Sequence, residues 1–312
     1  MREGLNQKLN RDSDILVFGA SGAIGTAFLE KSKLSGMRVI GVSRGYPKDK
    51  SIISTDYRTT SVLEIIKTYT PKQIIISIGT ASSNPNSDST LIKDEFRSIG
   101  SIISAIDQSN VSSHVSLLSS SAVYGETKNK LSSESDILNP ISKYGESKAK
   151  VEELALQHSK NSSFTLDVLR VFSVYGKNQK KLLVWDLFER ILKCNEAKLE
   201  IKSSAKNKRN FINIEDLASI IQVTADRAES KSRIINIGSP DTLLVRDVVE
   251  LVRQFLSPNL IVSFTNETEI GKPELILPDL TKMYNLIGAE FNFIDFKDGM
   301  NETLQFWRNQ NL

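Results

Sequence analysis

Tyr144 and Lys148 stand four residues apart in the run Tyr144-Gly145-Glu146-Ser147-Lys148. On a helix that spacing puts the phenol and the ammonium on one face. A free tyrosine keeps its proton up to about pH 10, too tightly for efficient transfer near neutrality. A neighbouring ammonium favours the phenolate and is expected to lower that value. The pair therefore suits proton transfer to or from an oxygen whose carbon changes oxidation state. Upstream, Ser119-Ser120-Ser121 closes the apolar run Val115-Ser116-Leu117-Leu118. A hydroxyl from Ser120 would orient a substrate oxygen and pass the proton on.

These groups need a partner that carries electrons, and the start of the chain suggests one. Ile15-Leu16-Val17-Phe18, preceded by Asp14, is a short apolar run of the kind that forms a buried parallel strand. Gly19-Ala20-Ser21-Gly22-Ala23-Ile24-Gly25 follows at once. In this context Gly19 permits a tight turn and Gly22 lets the backbone approach a pyrophosphate. Gly25 lets the next helix pack close to the sheet. Residues 23 to 34 read as that helix, whose free N-terminal amides, with Ser21, Ala23 and Ile24 around them, would face the phosphates. The expected ligand is a dinucleotide, and Lys148 would also hydrogen-bond its nicotinamide ribose.

Further elements should complete this site. Arg38 to Val42 reads as the second strand, ending in Ser43-Arg44. An acidic residue there would suit the free ribose hydroxyls of NAD. A hydroxyl and a guanidinium suit a 2′-phosphate. The pair favours NADP(H), without excluding NAD(H). Asp56, at the end of the third strand, is placed near the adenine. Ile74 to Gly79 reads as the fourth strand, and Gly79, Thr80 and Ala81 at its carboxyl end would let the cofactor lie against the backbone. Asn84 to Thr90, rich in Ser, Asn and Asp, reads as a mobile loop beside it. Ser142, after Pro140, would cap the helix that carries Tyr144 and Lys148. The alternation of strands and helices predicts an α/β protein with a Rossmann-type doubly wound parallel sheet.

With these motifs in view, the chain from about Asp14 to Trp307 resembles the extended short-chain dehydrogenases/reductases, the NAD-dependent epimerase/dehydratase family. The family's glycine pattern falls on Gly19, Gly22 and Gly25. Its catalytic hydroxyl, three residues before Val123-Tyr124-Gly125, falls on Ser120, and its catalytic pair falls on Tyr144 and Lys148. Leu169 to Gly176, Arg209 to Asp216 and Asn236 to Ser239 match later landmarks. The resemblance implies a smaller C-terminal α/β lobe that holds a nucleotide-diphosphate sugar, with Ser121 and Ser173 near the sugar and Arg209 near the diphosphate. It implies residues 14–176 as the cofactor domain and 177–312 as the substrate lobe, with segments that exchange between them. Residues 1–13 would be a polar tail.

The chain departs from the family at several points. Ser173 and Lys177 replace the usual Asn and Pro, Arg97 replaces a common Asn, and the region of Lys272-Pro273 keeps only part of the family's pattern. Ser121 and Ala122 stand where the 4,6-dehydratases carry carboxylates, which argues against elimination of water. The resemblance thus implies redox chemistry at C4 of a nucleotide sugar, by NADPH-dependent reduction of a 4-keto group or by 4-epimerisation with a retained cofactor. A cofactor-binding sensor or scaffold that has lost catalysis is the alternative of another class. The intact Ser120, Tyr144 and Lys148 speak for an enzyme.

Composition narrows the field further. With 312 residues the chain can bury a large core, and 39% hydrophobic with 25% charged residues is ordinary globular content. One cysteine, Cys194, precludes an internal disulfide. Two histidines, His114 and His158, give a metal centre or a Ser/His triad little to draw on, and both read as structural. No apolar run nears the ~18 residues that span a membrane. The first dozen residues lack the apolar stretch of a signal peptide. A cytoplasmic enzyme is expected, and the resemblance leaves room for a homodimer. A net charge of +3 is too small to argue for nucleic acid. Two basic runs, Lys177-Lys180-Lys181 and Lys202-Lys206-Lys208-Arg209, lie in or near the substrate lobe.

Overall fold

The computed structural model describes residues 15–45, 49, 51–79, 89–127, 130–229, 231–265 and 273–310. The first half builds β1 (Ile15–Phe18), α1 (Ala23–Leu34), β2 (Val39–Ser43), β3 (Ile53–Ser54), α2 (Thr59–Tyr69), β4 (Gln73–Ile76), α3 (Ser89–Ser109) and β5 (His114–Ser120). A single 3-10 turn, Ser121–Val123, leads towards α4 (Lys143–Ser159) and β6 (Thr165–Val171). The second half holds β7 (Ser173–Tyr175), α5 (Leu182–Leu192), β8 (Lys198–Ile201), β9 (Lys208–Asn213), α6 (Ile214–Asp226) and β10 (Arg233–Ile237). It closes with β11 (Thr242–Leu244), α7 (Val245–Leu256), β12 (Ile261–Phe264), β13 (Leu275–Ile276), α8 (Thr281–Ile287) and α9 (Phe296–Asn309).

Seven parallel strands form the main sheet in the order β10-β6-β5-β4-β1-β2-β3. The chain runs outward from β1 to β3, then crosses to the other side of β1 for β4. A crevice opens at such a reversal beyond the carboxyl ends of β1 and β4, where α/β sheets bind ligands. The sheet strands are buried on both faces, which is why Ile15–Phe18 and Ile74–Ile76 are continuously apolar rather than alternating. Helices α1, α6 and α8 cover one face, with Phe28, Ile220 and Ile221 in its core. Helices α2, α3 and α4 cover the other, around Ile66, Ile99 and Ile102. The sheet is thus the expected Rossmann-type doubly wound α/β layer.

Three details correct the linear reading. β2 begins at Val39, because Arg38 gives the ladder only its carbonyl, accepting from Ile15 N–H at 3.1 Å. β4 stops at Ile76, where the amide and hydroxyl of Ser77 both donate to the Phe18 carbonyl. The division at Gly176 does not separate the sheet's strands. Residues 214–237 follow it, yet α6 packs on α1 and β10 forms the seventh strand. The remaining strands form two small sheets, β11-β9-β13 with β7 on β9, and β12-β8. A separate core of Phe188, Val248, Met300, Leu304 and Trp307 lies beneath them. Both histidines have structural partners: His114 meets Thr165 Oγ1 at 2.9 Å and His158 meets Asp107 at 2.9 Å.

Candidate active site

The glycine turn is built for a close ligand. Gly19 has φ +84°, a conformation that favours glycine, and a Cβ there would lie 2.9 Å from the Ser77 carbonyl carbon. A Cβ on Gly25 would sit 2.3 Å from the Gly19 carbonyl oxygen, so only glycine lets α1 approach the turn. Gly22 precedes α1 without a capping side chain, and the first turn of α1 holds no acidic residue. The amides of Ala23, Ile24 and Gly25 therefore point from a helix N-terminus that favours an anion. These features fit the pyrophosphate of a dinucleotide.

At the end of β2, Ser43 is buried and shares a short hydrogen bond with the Ser21 hydroxyl, while Arg44 is exposed. Asp56 lies two residues beyond β3, where its carboxylate accepts from Arg58 N–H at 3.0 Å and pairs with Arg58 Nε at 2.9 Å. Tyr57, which sequence reasoning did not single out, lies with φ +58° and turns its ring inward. Its hydroxyl accepts from Gly19 N–H at 3.1 Å and donates to the Val42 carbonyl at 3.2 Å. It thereby ties the glycine turn to β2 across 38 residues of chain. Thr80, Ala81 and residues 84–88 of the expected loop lie outside the described residues; Ser89 and Thr90 open α3.

The candidate proton-transfer group is positioned by α4. The Ser142 hydroxyl caps this helix, accepting from Gly145 N–H at 3.1 Å. A Cβ on Gly145 would lie 2.4 Å from the Ala122 carbonyl oxygen, so α4 touches the 3-10 turn directly. That contact sets Tyr144 beside the Ser120 hydroxyl. Ser120 itself accepts from Ala122 N–H at 3.2 Å. Ser121 starts the turn and is partly exposed next to it. Lys148 lies one helical turn on, with its Nζ 5.8 Å from the centre of the Tyr144 ring.

Lys148 is 2% exposed, and its ammonium is fully partnered. It donates to the carbonyls of Ile78, just past β4, at 3.1 Å and of Leu118, in β5, at 3.3 Å. It also pairs with Glu95 Oε1 at 2.7 Å. Gly79 lies against it, the site of a missing Cβ being 4.0 Å from Nζ. Glu95, on α3 and equally buried, was not foreseen from the sequence. The Lys148 ammonium is held above its ordinary value: burial opposes the charge, but Tyr144, Glu95 and Glu152 outweigh it.

The Tyr144 phenol moves opposite to the sequence expectation. Desolvation raises it, Lys148 lowers it, Glu95 raises it again, and a hydrogen bond from Ser120 lowers it; the balance lies above the ordinary tyrosine value. The expectation counted the ammonium without the burial of the phenol, which raises the value most, and without Glu95, which adds to it. Behind the serines, Ser119 donates to Glu152, which Arg170 grips with Nη2 at 2.8 Å. Arg170 also reaches Tyr124, whose hydroxyl donates to Asn236 at 2.6 Å. This buried network ties β5, α4, β6 and β10 together behind the 3-10 turn.

Ser173 and Arg209 are brought to the second sheet. Ser173 opens β7 in register with Phe211 of β9, two residues along from Arg209. The Arg209 guanidinium donates to the carbonyls of Lys208 and Glu274, each at 2.9 Å, and to that of Pro273. These bonds staple β9 to the segment before β13. Of the basic runs, Lys177 pairs with Glu215 and Glu302, at 3.5 and 3.4 Å. Lys272 lies outside the described residues. Among the described residues no cluster of His, Cys, Asp and Glu could hold a metal ion, and no helix is long and apolar enough to cross a membrane.

A glycine cradle at the switch point of a doubly wound sheet, facing a Ser/Tyr/Lys group, defines a nicotinamide-dinucleotide-dependent class of fold. A profile of the NAD dependent epimerase/dehydratase family matches residues 15–238, and the chain belongs to that family. A search of curated protein sequences finds no match. Among solved structures, MoeE5 in complex with UDP-glucose and NAD is 23% identical, with a TM-score of 0.82 over 96% of this chain and 100% of that one. UDP-glucuronic acid 4-epimerase from Bacillus cereus, in complex with UDP-glucuronic acid and NAD, is 20% identical, with a TM-score of 0.81 over 95% and 99%. TunA, an NAD-dependent NDP-hexosamine 5,6-dehydratase of tunicamycin biosynthesis, is 22% identical, with a TM-score of 0.81 over 96% and 98%. At these identities the likeness shows the shared fold.

Proposed function

We propose that this chain is an NAD(P)-dependent oxidoreductase acting at C4 of a nucleotide-diphosphate sugar, and that its reaction is reduction of a 4-keto sugar. The observation that carries the redox reading is the placing of Tyr144 and Lys148 on one face of α4, with the Lys148 ammonium 5.8 Å from the Tyr144 ring centre and bonded to the Ile78 carbonyl just past β4. A bound nicotinamide dinucleotide supplies the hydride to the carbon. The cradle of Gly19, Gly22, Gly25 and the α1 amides would hold its pyrophosphate, and Gly79 leaves room beside Lys148. Ser120 hydrogen-bonds the carbonyl oxygen and orients it. Tyr144 gives that oxygen its proton, so the ketone becomes an alcohol. Ser121, Ser173 and Arg209 belong to the sugar-diphosphate side, on the elements that follow β5 and β6.

Two observations favour reduction. Ser43-Arg44, with no carboxylate at the end of β2, suits NADP(H). Ser121-Ala122 provides neither acid nor base for eliminating water. A second reading, 4-epimerisation with a retained cofactor, draws support from the fold shared with a named 4-epimerase that holds NAD. The test has two arms. In one, the protein is incubated with NADPH and a 4-keto-6-deoxy nucleotide sugar, and in the other with nucleotide hexoses and no added cofactor. Loss of the NADPH absorbance in the first arm is the expected result. Interconversion of hexoses without net cofactor change would replace reduction by epimerisation, and silence in both arms would remove C4 redox chemistry.

A further inference from the structure

Four described residues other than glycine have φ in the left-handed region: Tyr57, Thr70, Asn110 and Leu182. Thr70 and Asn110 follow the last turns of α2 and α3, and Leu182 opens α5. Only Tyr57 is buried, at 3% exposure. An aromatic residue is uncommon with this backbone, and such strain persists where the surrounding structure over-determines it. The reversal at Tyr57 leaves Asp56 and Arg58 exposed while the ring enters the core edge-on to Phe18, with ring centres 6.1 Å apart. A phenylalanine would fill that space without desolvating a hydroxyl. The hydroxyl is there, and it meets two backbone groups at once, Gly19 N–H at 3.1 Å and the Val42 carbonyl at 3.2 Å. The same carbonyl takes the Gly19 and Ala20 amides at 3.0 and 3.2 Å. Gly19 N–H is thus shared between Val42 and Tyr57, and the three groups close a triangle at the root of the glycine turn. One residue beyond Val42, Ser43 is bonded to Ser21 of the turn and lies beside Tyr57.

On the reading that the glycine turn holds the pyrophosphate of a dinucleotide, we propose that Tyr57 is a positioning residue for that cofactor, its hydroxyl fixing the turn against the end of β2. The two places act together. The turn and the α1 amides would face the pyrophosphate, and the end of β2 would face the adenosine ribose. One ligand spans both, so play between them has to be frozen on binding, and that weakens affinity. The Gly19 and Ala20 amides hold the turn to β2, but both pivot on the single oxygen of Val42. The Tyr57 hydroxyl gives Gly19 a second point of attachment, carried by the segment after β3, and removes that pivot. Its own position is set by the packed ring and the left-handed backbone. In this role Tyr57 touches no ligand and acts through Gly19.

Tyr57→Phe keeps the ring and leaves Gly19 N–H its bond to Val42, so the variant should fold. The test is binding of NADH and of NADPH, followed by nicotinamide fluorescence well below the melting temperature of each protein. Both should bind about two- to tenfold more weakly, the equivalent of one net hydrogen bond. The factor should be the same for the two, because they share the pyrophosphate and the adenosine. A hydroxyl with a merely structural role would lower the melting temperature and leave both Kd values unmoved. In NMR spectra of the ligand-free proteins, the Gly19 amide proton should move upfield in Tyr57→Phe, as it loses one of two acceptors. Unchanged Kd values in the folded variant, a loss confined to NADPH, or an unmoved Gly19 signal overturns the proposal. A Gly19 amide that exchanges with solvent as fast as an unfolded one in the ligand-free parent overturns it even if Tyr57→Phe does not fold. If the parent binds neither dinucleotide, the cofactor reading fails and this proposal with it. If the parent binds and the variant equals it, the proposal fails alone.

Discussion

Gly145→Ala tests whether α4 is held at the 3-10 turn by the lack of a side chain. In open space the change should help, because alanine favours a helix over glycine by roughly 1 kcal/mol. Here the new Cβ would meet the Ala122 carbonyl oxygen at 2.4 Å and Pro140 Cβ at 3.0 Å. A carbon rarely approaches a carbonyl oxygen closer than about 3.3 Å, so α4 must retreat by close to ~1 Å. Overpacking of this kind costs about 1–3 kcal/mol, which outweighs the gain in propensity. The retreat draws Tyr144 away from Ser120, and a misplacement of ~1 Å at reacting groups can cost on the order of 10²-fold in turnover. Cofactor affinity should change little, because the glycine cradle stands on β1 and α1. The assay combines urea denaturation, turnover with the sugar found active, and a cofactor titration. A variant more stable than the parent with unchanged kcat would falsify the packing argument.

Three other outcomes are expected. Tyr144→Phe should lower kcat by about 10²–10⁴-fold or more while leaving cofactor binding nearly intact, since it removes the proton and little else; retention of half the activity at saturating substrate would remove Tyr144 from the mechanism. Arg44→Ala should weaken NADP(H) more than NAD(H), by roughly ten- to a hundredfold, if the guanidinium binds a 2′-phosphate; equal losses in a binding titration, or tighter NAD(H) binding by the parent, would show that it does not. Asp167 is buried between Arg233, at 2.8 Å, and His114, and these outweigh desolvation to hold its carboxyl below the usual range. A depressed value means stability present above the unfolded pKa near ~3.9 and lost as pH falls through the folded one. Asp167→Asn should therefore cost about 3–5 kcal/mol at neutral pH, with the gap to the parent narrowing below pH ~4; a gap that stays constant from pH 7 to 3 in denaturant titrations would contradict this.

What could be read from the sequence alone was what depends on near neighbours. The glycine turn was legible because Gly19, Gly22 and Gly25 are set by a strand and helix that adjoin them, and a Cβ would clash at Gly19 and Gly25 and fit only tightly at Gly22. Tyr144 and Lys148 were legible because helical spacing alone puts them on one face, and Ser142 could be named as the cap from its position before the helix. Family membership followed from these local patterns. Tertiary structure decided what depends on distant pairing. Glu95 looks like one charge among many on an amphipathic helix, and only the packing of α3 on α4 buries it against Lys148. The expected direction of the Tyr144 phenol was reversed chiefly by its burial, with Glu95 adding to it, and neither is visible along the chain. Tyr57 reached Gly19 by the same kind of long-range contact. That segments exchange between the lobes was expected from the resemblance, but not that β10 is the one that returns to the main sheet, because an apolar run such as Ile234-Ile235 does not say which sheet it will join. Spacing along the chain determined which groups are paired locally. The charge and reach of those groups were decided by elements that meet only when the chain folds.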